Sequence, residues 1–247
     1  MCDHVGMDER PELGTIAVEA SVLGQDGVEL DVMLAELQAD LTGEMPADTP
    51  RQGWRVLTTR DGAAEMVGAP TDADGQWWRI GLIRRAQSEG APRLLELHST
   101  SQRRRPSRKD RAGRLTLRWT AATRTAPDLD LLAIDIVNAG AERWYPQGDS
   151  FMVFAALGRP GEPAPGVNFA YVAGQNPALP LDPGEYARVR VVVDSGQWRD
   201  AHPGPHEVHA FLVNLGLRGA EPLHVELSER DIEVHQPRKQ PPAPPSP

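Results

Sequence analysis

Cysteine is almost absent from this sequence of 247 residues, where Cys2 is the only one. A single thiol excludes an internal disulfide framework and any zinc or iron–sulfur site built from several cysteines. It also makes a cytoplasmic location the default expectation. No apolar run reaches the roughly 18 residues needed to cross a bilayer as a helix, so no membrane partner is expected. The start, Met1-Cys2-Asp3-His4, has no basic segment followed by an apolar one and does not read as a secretory signal. Phosphate-binding P-loops, G-x-G-x-x-G turns, H-E-x-x-H pairs and G-x-S-x-G elbows are all missing from the sequence, so neither a cofactor nor a catalytic residue is assigned. Cys2 sits in a terminus with no apolar context to hold a nucleophile in place. Lysine is scarce as well, with two lysines (Lys109 and Lys239) against 24 arginines, a bias that reads as compositional before it reads as functional.

What is present fits a soluble globular chain, 40% hydrophobic and 25% charged, long enough for one large domain or two small ones. The net charge of −9 is unevenly placed. Residues 1–50 hold 12 acids and one base, Arg10, for a net of −11, and the rest of the chain is at +2. Such an acidic chain is a poor candidate for nonspecific nucleic-acid binding.

Periodicity divides the chain. Leu30, Leu34, Leu37 and Leu41 form a helical stripe that Gly43 ends, preceded by a short strand over Thr15–Ala20 and a turn from Gly24 to Gly27. Residues 42–53 read as a loop. From Trp54 onward the period becomes two. Trp78, Ile80 and Leu82 alternate with Trp77, Arg79 and Gly81. After a turn over 88–92, Leu95 and Leu97 alternate with Glu96 and His98, which predicts a hairpin. Further strands are predicted around Leu115–Trp119, Leu132–Ile136, Phe151–Leu157, Val189–Val193, Val208–Leu212, Leu223–Leu227 and Ile232–Val234. Gly, Pro, Asn and Asp turns separate them, the pattern of an antiparallel β-sandwich. The segment Pro237–Pro247 is too proline-rich for helix or sheet and reads as a disordered tail.

Two of these stretches carry a resemblance. Leu181-Asp182-Pro183-Gly184-Glu185, leading into a valine strand, resembles the strand entry of bacterial immunoglobulin-like and fibronectin type III-like domains. Gly204-Pro205-His206-Glu207-Val208-His209-Ala210 is similar to their Gly-x-Tyr-x-Val-x-Ala strand start, with His206 in the place of the corner tyrosine. The antibody-type cysteine pair is missing. The resemblance covers about half of the chain and implies a fold, not an activity. The fold class expected is therefore mainly β: an immunoglobulin-like antiparallel β-sandwich over 113–236 preceded by a small α+β or β-rich region over 14–100. A flexible terminus over 1–13, an arginine-rich loop or linker over 101–112 and the tail over 237–247 complete the organisation.

Few residues stand out as candidates for chemistry. His202, His206 and His209 are close in sequence, but prolines interrupt the first part, and the odd separation of His206 and His209 points them to opposite faces of a strand, so no metal site is assigned. Gly148-Asp149-Ser150 resembles a short lipase nucleophile block, yet it precedes an apolar strand and reads as a turn. The one basic concentration is Arg103, Arg104, Arg105, Arg108, Lys109, Arg111 and Arg114. Read as an exposed loop, it offers contacts to a protein, to a phosphate, or to the acidic N-terminal segment of the same chain. Trp77 must face away from Trp78 if both lie in one strand, and Trp144 and Trp198 fall in loop-like contexts. Together they form either a ligand platform or the covers of a sandwich end. The leading expectation is a noncatalytic cytosolic protein-interaction or adaptor module using Arg103, Arg104, Arg105, Arg108, Trp77, Trp144 and Trp198. The alternatives are a small-ligand-binding protein or enzyme using the loop tryptophans and histidines, and phosphate or nucleic-acid binding through the arginines.

Overall fold

Alternating apolar residues and frequent turns give a fold that is mainly β, with two curled sheets, one of them nearly barrel-shaped. The computed structural model of the chain describes residues 9–60, 63–84, 92–165, 177–193, 196–219 and 221–236. The predicted tail over 237–247, Cys2, and most of the turn at 88–92 lie outside the described residues. The chain divides between Asp110 and Arg111 into two units, each with its own sheet. Among the described residues no helix is long and apolar enough to cross a membrane.

The first unit contains β1 (Glu12–Leu13), β2 (Ile16–Ala17), α1 (Ala20–Leu23), α2 (Leu30–Leu37), β3 (Ala39–Thr42), β4 (Arg55–Arg60), β5 (Ala63–Pro70), β6 (Trp77–Arg84), β7 (Arg93–Leu97) and β8 (Gln102–Arg105). Its sheet runs β2-β1-β8-β6-β5-β4, with β7 also on β6 and β3 added parallel to β7. Strands β6 and β7 pair antiparallel, as the alternation predicts. Apolar residues pack on both faces of this sheet. Leu30, Met33, Trp54, Val67, Ile83 and Leu95 belong to one cluster, and Leu13, Val18, Leu57, Trp78 and Ile80 to another. This double burial explains why the expected inward position Leu82 is exposed while its neighbour Ile83 is buried.

Three expectations for this unit are corrected. The helical stripe ends at Leu37, because Gln38 turns left-handed (φ 50°), so Leu41 lies in β3. Residues 9–13 are not a free terminus: β1 pairs with β8, and Glu12 and Leu13 are buried. The segment predicted as an exposed arginine loop is strand β8 followed by α3 (Arg108–Ala112). A strand of Gln102-Arg103-Arg104-Arg105 has no apolar alternation to reveal it. Backbone pairing to β1 and β6 holds it in the sheet.

The second unit contains β9 (Leu115–Trp119), α4 (Ala121–Thr125), β10 (Ala133–Asn138), β11 (Val153–Gly158), β12 (Tyr186–Val193), β13 (Gly204–Leu212), β14 (Leu217–Arg218), β15 (Leu223–Leu227) and α5 (Glu229–His235). Strands follow one another as β9-β10-β12-β11-β13, with β14 and β15 both on the far side of β13. All pairs are antiparallel except β11 with β12. The inward rows are those the alternation predicts: Leu115 and Trp119, Leu132, Ile134 and Ile136, Val208, Ala210 and Leu212, and Leu223, Val225 and Leu227 are all buried. Each fully buried aliphatic side chain contributes roughly 1.5–3 kcal/mol. The Trp119 indole donates to the Glu221 carbonyl at 3.1 Å, which brings the first strand of the sheet beside the turn that precedes its last. One predicted strand is corrected: Ile232–Val234 lies in α5, with Ile232 buried and Val234 exposed. The helix is set by a capping box, in which Ser228 Oγ accepts from the Asp231 N–H and Asp231 accepts from the Ser228 N–H.

Candidate interaction surface

The pairing register of β8 sorts its arginines. Arg105 stands opposite Glu12 and Arg104 opposite Leu13 on β1, and Arg103 stands opposite Trp77 on β6. Residues directly opposite share a face. Arg105 Nη2 therefore meets Glu12 Oε2 at 3.0 Å, and Arg108 Nε reaches Glu12 Oε1 at 2.6 Å. Lys109 pairs with Glu9, whose hydrogen bond and charge hold the ammonium above the usual lysine range. In the second unit Arg111 donates to Asp149 at 3.1 Å, with both side chains sealed, and donates to the Asn214 carbonyl at 3.3 Å. Its own carbonyl accepts from the Trp144 indole at 2.6 Å.

Four of the seven basic residues are thus engaged by carboxylates. Glu9 and Glu12 belong to the acidic N-terminal segment, so the intramolecular contact foreseen for this basic stretch is the one found for Arg105, Arg108 and Lys109. Arg103, Arg104 and Arg114 are exposed, and among the described residues no carboxylate pairs with them.

Trp77 lies beside Arg103 and is 46% exposed. Its backbone is fixed. Asp72 Oδ1 accepts from the Gln76 and Trp77 N–H groups at 2.8 and 3.1 Å, and the Thr71 N–H donates to the Trp77 carbonyl at 2.8 Å. Gly75 supplies the positive φ (61°) that the turn requires. Trp78 points the other way into the core, its indole donating to the Gly75 carbonyl and the Arg55 guanidinium lying over its ring. An exposed indole and an exposed guanidinium, side by side on a hydrogen-bonded strand pair, present a large contact area on a backbone that is already ordered.

The other expected interaction tryptophans belong to the second unit. Trp144 is buried and stacked on Phe151 at 5.4 Å. Trp198 is 2% exposed and stacked on His235 at 4.4 Å. Both sit in the core of the second unit, packed into its apolar interior. Arg105 and Arg108, also expected at an interface, serve Glu12 instead.

The histidines separate as their spacing predicts. His206 is buried on the inward row of β13, with Nδ1 at 3.0 Å from the Gly204 carbonyl. His209 lies on the opposite face, where burial pushes its pKa below the usual histidine value and Glu207, 3.5 Å away, opposes the shift. His202 is exposed and accepts from Arg159 at 2.7 Å. Among the described residues no three His, Cys, Asp or Glu side chains form a group able to hold a metal ion. In the Gly148–Ser150 turn, Asp149 serves Arg111 and Ser150 accepts from Asn214 Nδ2, both structural roles.

Residues that sequence reasoning missed are the buried acids Glu12 and Asp149, whose partners lie 93 and 38 positions away. No local pattern marks such a pair. The capping box at Ser228 and Asp231, in contrast, was present in the sequence as a signal for α5. No protein-family model, no curated protein and no solved structure matches this chain.

Proposed function

We propose that the protein is a noncatalytic interaction module that docks a partner protein through the surface around Trp77 and Arg103. The observation that carries this reading is the pairing of a 46% exposed indole with an exposed, carboxylate-free guanidinium on adjacent strands. Tryptophan and arginine are the residue types that most often dominate binding energy at protein interfaces. The partner chemistry that fits is an acidic side chain beside an apolar recess able to take the indole. A cytoplasmic setting belongs to the same reading and rests on the single cysteine. Engagement of Arg105, Arg108, Lys109 and Arg111 by carboxylates weighs against a phosphate or nucleic-acid clamp, since it leaves Arg103, Arg104 and Arg114 to supply the charge.

For the second unit we infer a variant immunoglobulin-like sandwich. The neighbours β9-β10-β12 and β11-β13-β15 support this, because they follow the A-B-E and C-F-G orders of that fold. The parallel pairing of β11 with β12 is a departure from it, since it joins what a sandwich keeps as separate sheets.

The test is capture from nuclease-treated native lysate by the full chain and by its Trp77→Ala and Arg103→Glu variants. A protein retained stoichiometrically by the parent should be lost from both variants, each costing about 2 kcal/mol or more of binding. Melting midpoints should stay unchanged, because both side chains are exposed. Equal retention by all three would place the interface elsewhere. Capture that vanishes with nuclease or falls steeply with salt would favour the nucleic-acid reading.

A further inference from the structure

One end of the second unit carries a cleft that the interaction surface does not use. Strands β11 and β12 run parallel and β13 runs against β11, so Gly158, Val193 and Gly204 all come to the same end of the sheet. There a cleft of about 350 Å³ is lined by residues that include Arg159, Glu162, Asp200, His202 and His206. Sheet mouths of this kind are common ligand sites, and the volume lies within the roughly 300–1,000 Å³ typical of small-molecule pockets.

The charged groups in it are not neutralised by one another. Arg159 donates to His202 Nε2 at 2.7 Å and, among the described residues, makes no ion pair. A guanidinium only donates, so His202 accepts there and carries its proton on Nδ1. Glu162 and Asp200 line the same cleft and, among the described residues, pair with no cation. His206 is 94% buried. Its Nδ1 sits 3.0 Å from the Gly204 carbonyl, which can only accept, so Nδ1 carries the proton and Nε2 is left with a lone pair. Among the described residues that Nε2 has no hydrogen-bond partner and is not one of the sealed, unpartnered side-chain atoms, so on a residue lining the cleft it stays within reach of an incoming donor.

We propose that this cleft binds a small zwitterion, a free amino acid, with the carboxylate on Arg159 and the ammonium between the Glu162 and Asp200 side and the His206 Nε2. A simple anion would face two carboxylates, and a simple cation would face the guanidinium. Only a ligand carrying both charges meets the cleft's two signs at once. Arginine suits the carboxylate because two parallel N–H groups match its two oxygens. The lone pair on His206 Nε2 accepts an ammonium N–H.

The experiment is calorimetric titration of the full chain with a panel of the common amino acids, and with acetate and methylammonium as the two separate halves of glycine. Histidine ring resonances are followed by NMR alongside. At least one amino acid should bind about tenfold or more tightly than either half, and its binding should shift the His206 ring signals. Arg159→Ala, an exposed substitution, should weaken that binding at least tenfold with the melting midpoint unchanged. Absence of saturable binding by every amino acid, equal binding of acetate, or undiminished binding to Arg159→Ala would each overturn the proposal.

Discussion

The two units bury charge in different ways. In the first, Glu12 is sealed, but its partners Arg105 and Arg108 keep 16% and 33% of their side chains in water. In the second, Arg111 and Asp149 are both 1% exposed. Their cores differ in parallel: among the described residues the second unit gathers 23 buried residues into one cluster, while the first divides its apolar burial into clusters of eight and six on the two faces of its sheet. In the sheet that packs on both faces each sealed charge has a partner that water still reaches, Arg79 with the 61% exposed Asp48 as well as Glu12 with its two arginines. A sheet that curls around one core has an inside, and a charge caught there depends wholly on its protein partner.

That difference sets an order of expected effects. The largest belongs to Asp149→Ala, which strands Arg111 in the interior and should cost about 3–5 kcal/mol in urea unfolding. A loss under about 1 kcal/mol would show that the sealed pair is not held as the geometry implies. Glu12→Ala should cost less, about 1–3 kcal/mol, because Arg105 and Arg108 can turn to solvent. If the two substitutions prove equal, the contrast between the two units fails.

Smaller effects sharpen the picture of the second unit. Ser228→Ala removes the α5 cap and should cost about 1 kcal/mol near neutral pH. Hydrogen bonds from Ser228 hold the Asp231 pKa below its ordinary value. The sign follows from that depression: the carboxylate's contribution to the cap is present above the ordinary aspartate pKa and is lost as pH falls through the lower, folded-state one. The gap between parent and variant should therefore narrow in acid to what Ser228 Oγ contributes by accepting from the Asp231 N–H, and a gap that does not change with pH would remove the Asp231 carboxylate from the cap. The smallest effect is expected from His209. Its lowered pKa favours the neutral ring in the folded state, so stability present above the ordinary histidine range is lost as pH falls. Between about pH 7 and about pH 5 the parent should lose more stability than His209→Gln. Parallel pH profiles would show that the ring titrates as it does in the unfolded chain.

Legibility in the sequence follows the same division. In the second unit most strands have one buried face, so period-two alternation at Leu115–Trp119, Leu132–Ile136 and Val208–Leu212 identifies both strand and orientation. It misleads at Ile232 and Val234, where the same spacing falls in a helix whose start is announced by Ser228 and Asp231 instead. In the first unit, alternation along β6 cannot choose a face, because Arg79 and Ile80 are both buried. Strand β8 carries no apolar signal at all. Of the candidate surface, the opposed directions of Trp77 and Trp78 were readable, whereas the place of Arg103 beside Trp77 depends on a register between strands 26 positions apart. Glu12 could not be foreseen, because a buried acid is defined by who meets it across the sheet.

The Lys109–Glu9 contact has a practical side. With only two lysines in the chain, an amine-reactive ester has few side chains to choose from, and one of them is held as an ammonium by an acid from the strip of chain just before β1. Acylation consumes the free amine, so the rate at Lys109 becomes a clock for that strip: slow while Glu9 is in place, faster after Glu9→Gln or when β1 peels from β8. Peptide mass mapping of a single labelled position then reports the docking of the first strand in the intact protein, without a dye, a tag or an added cysteine.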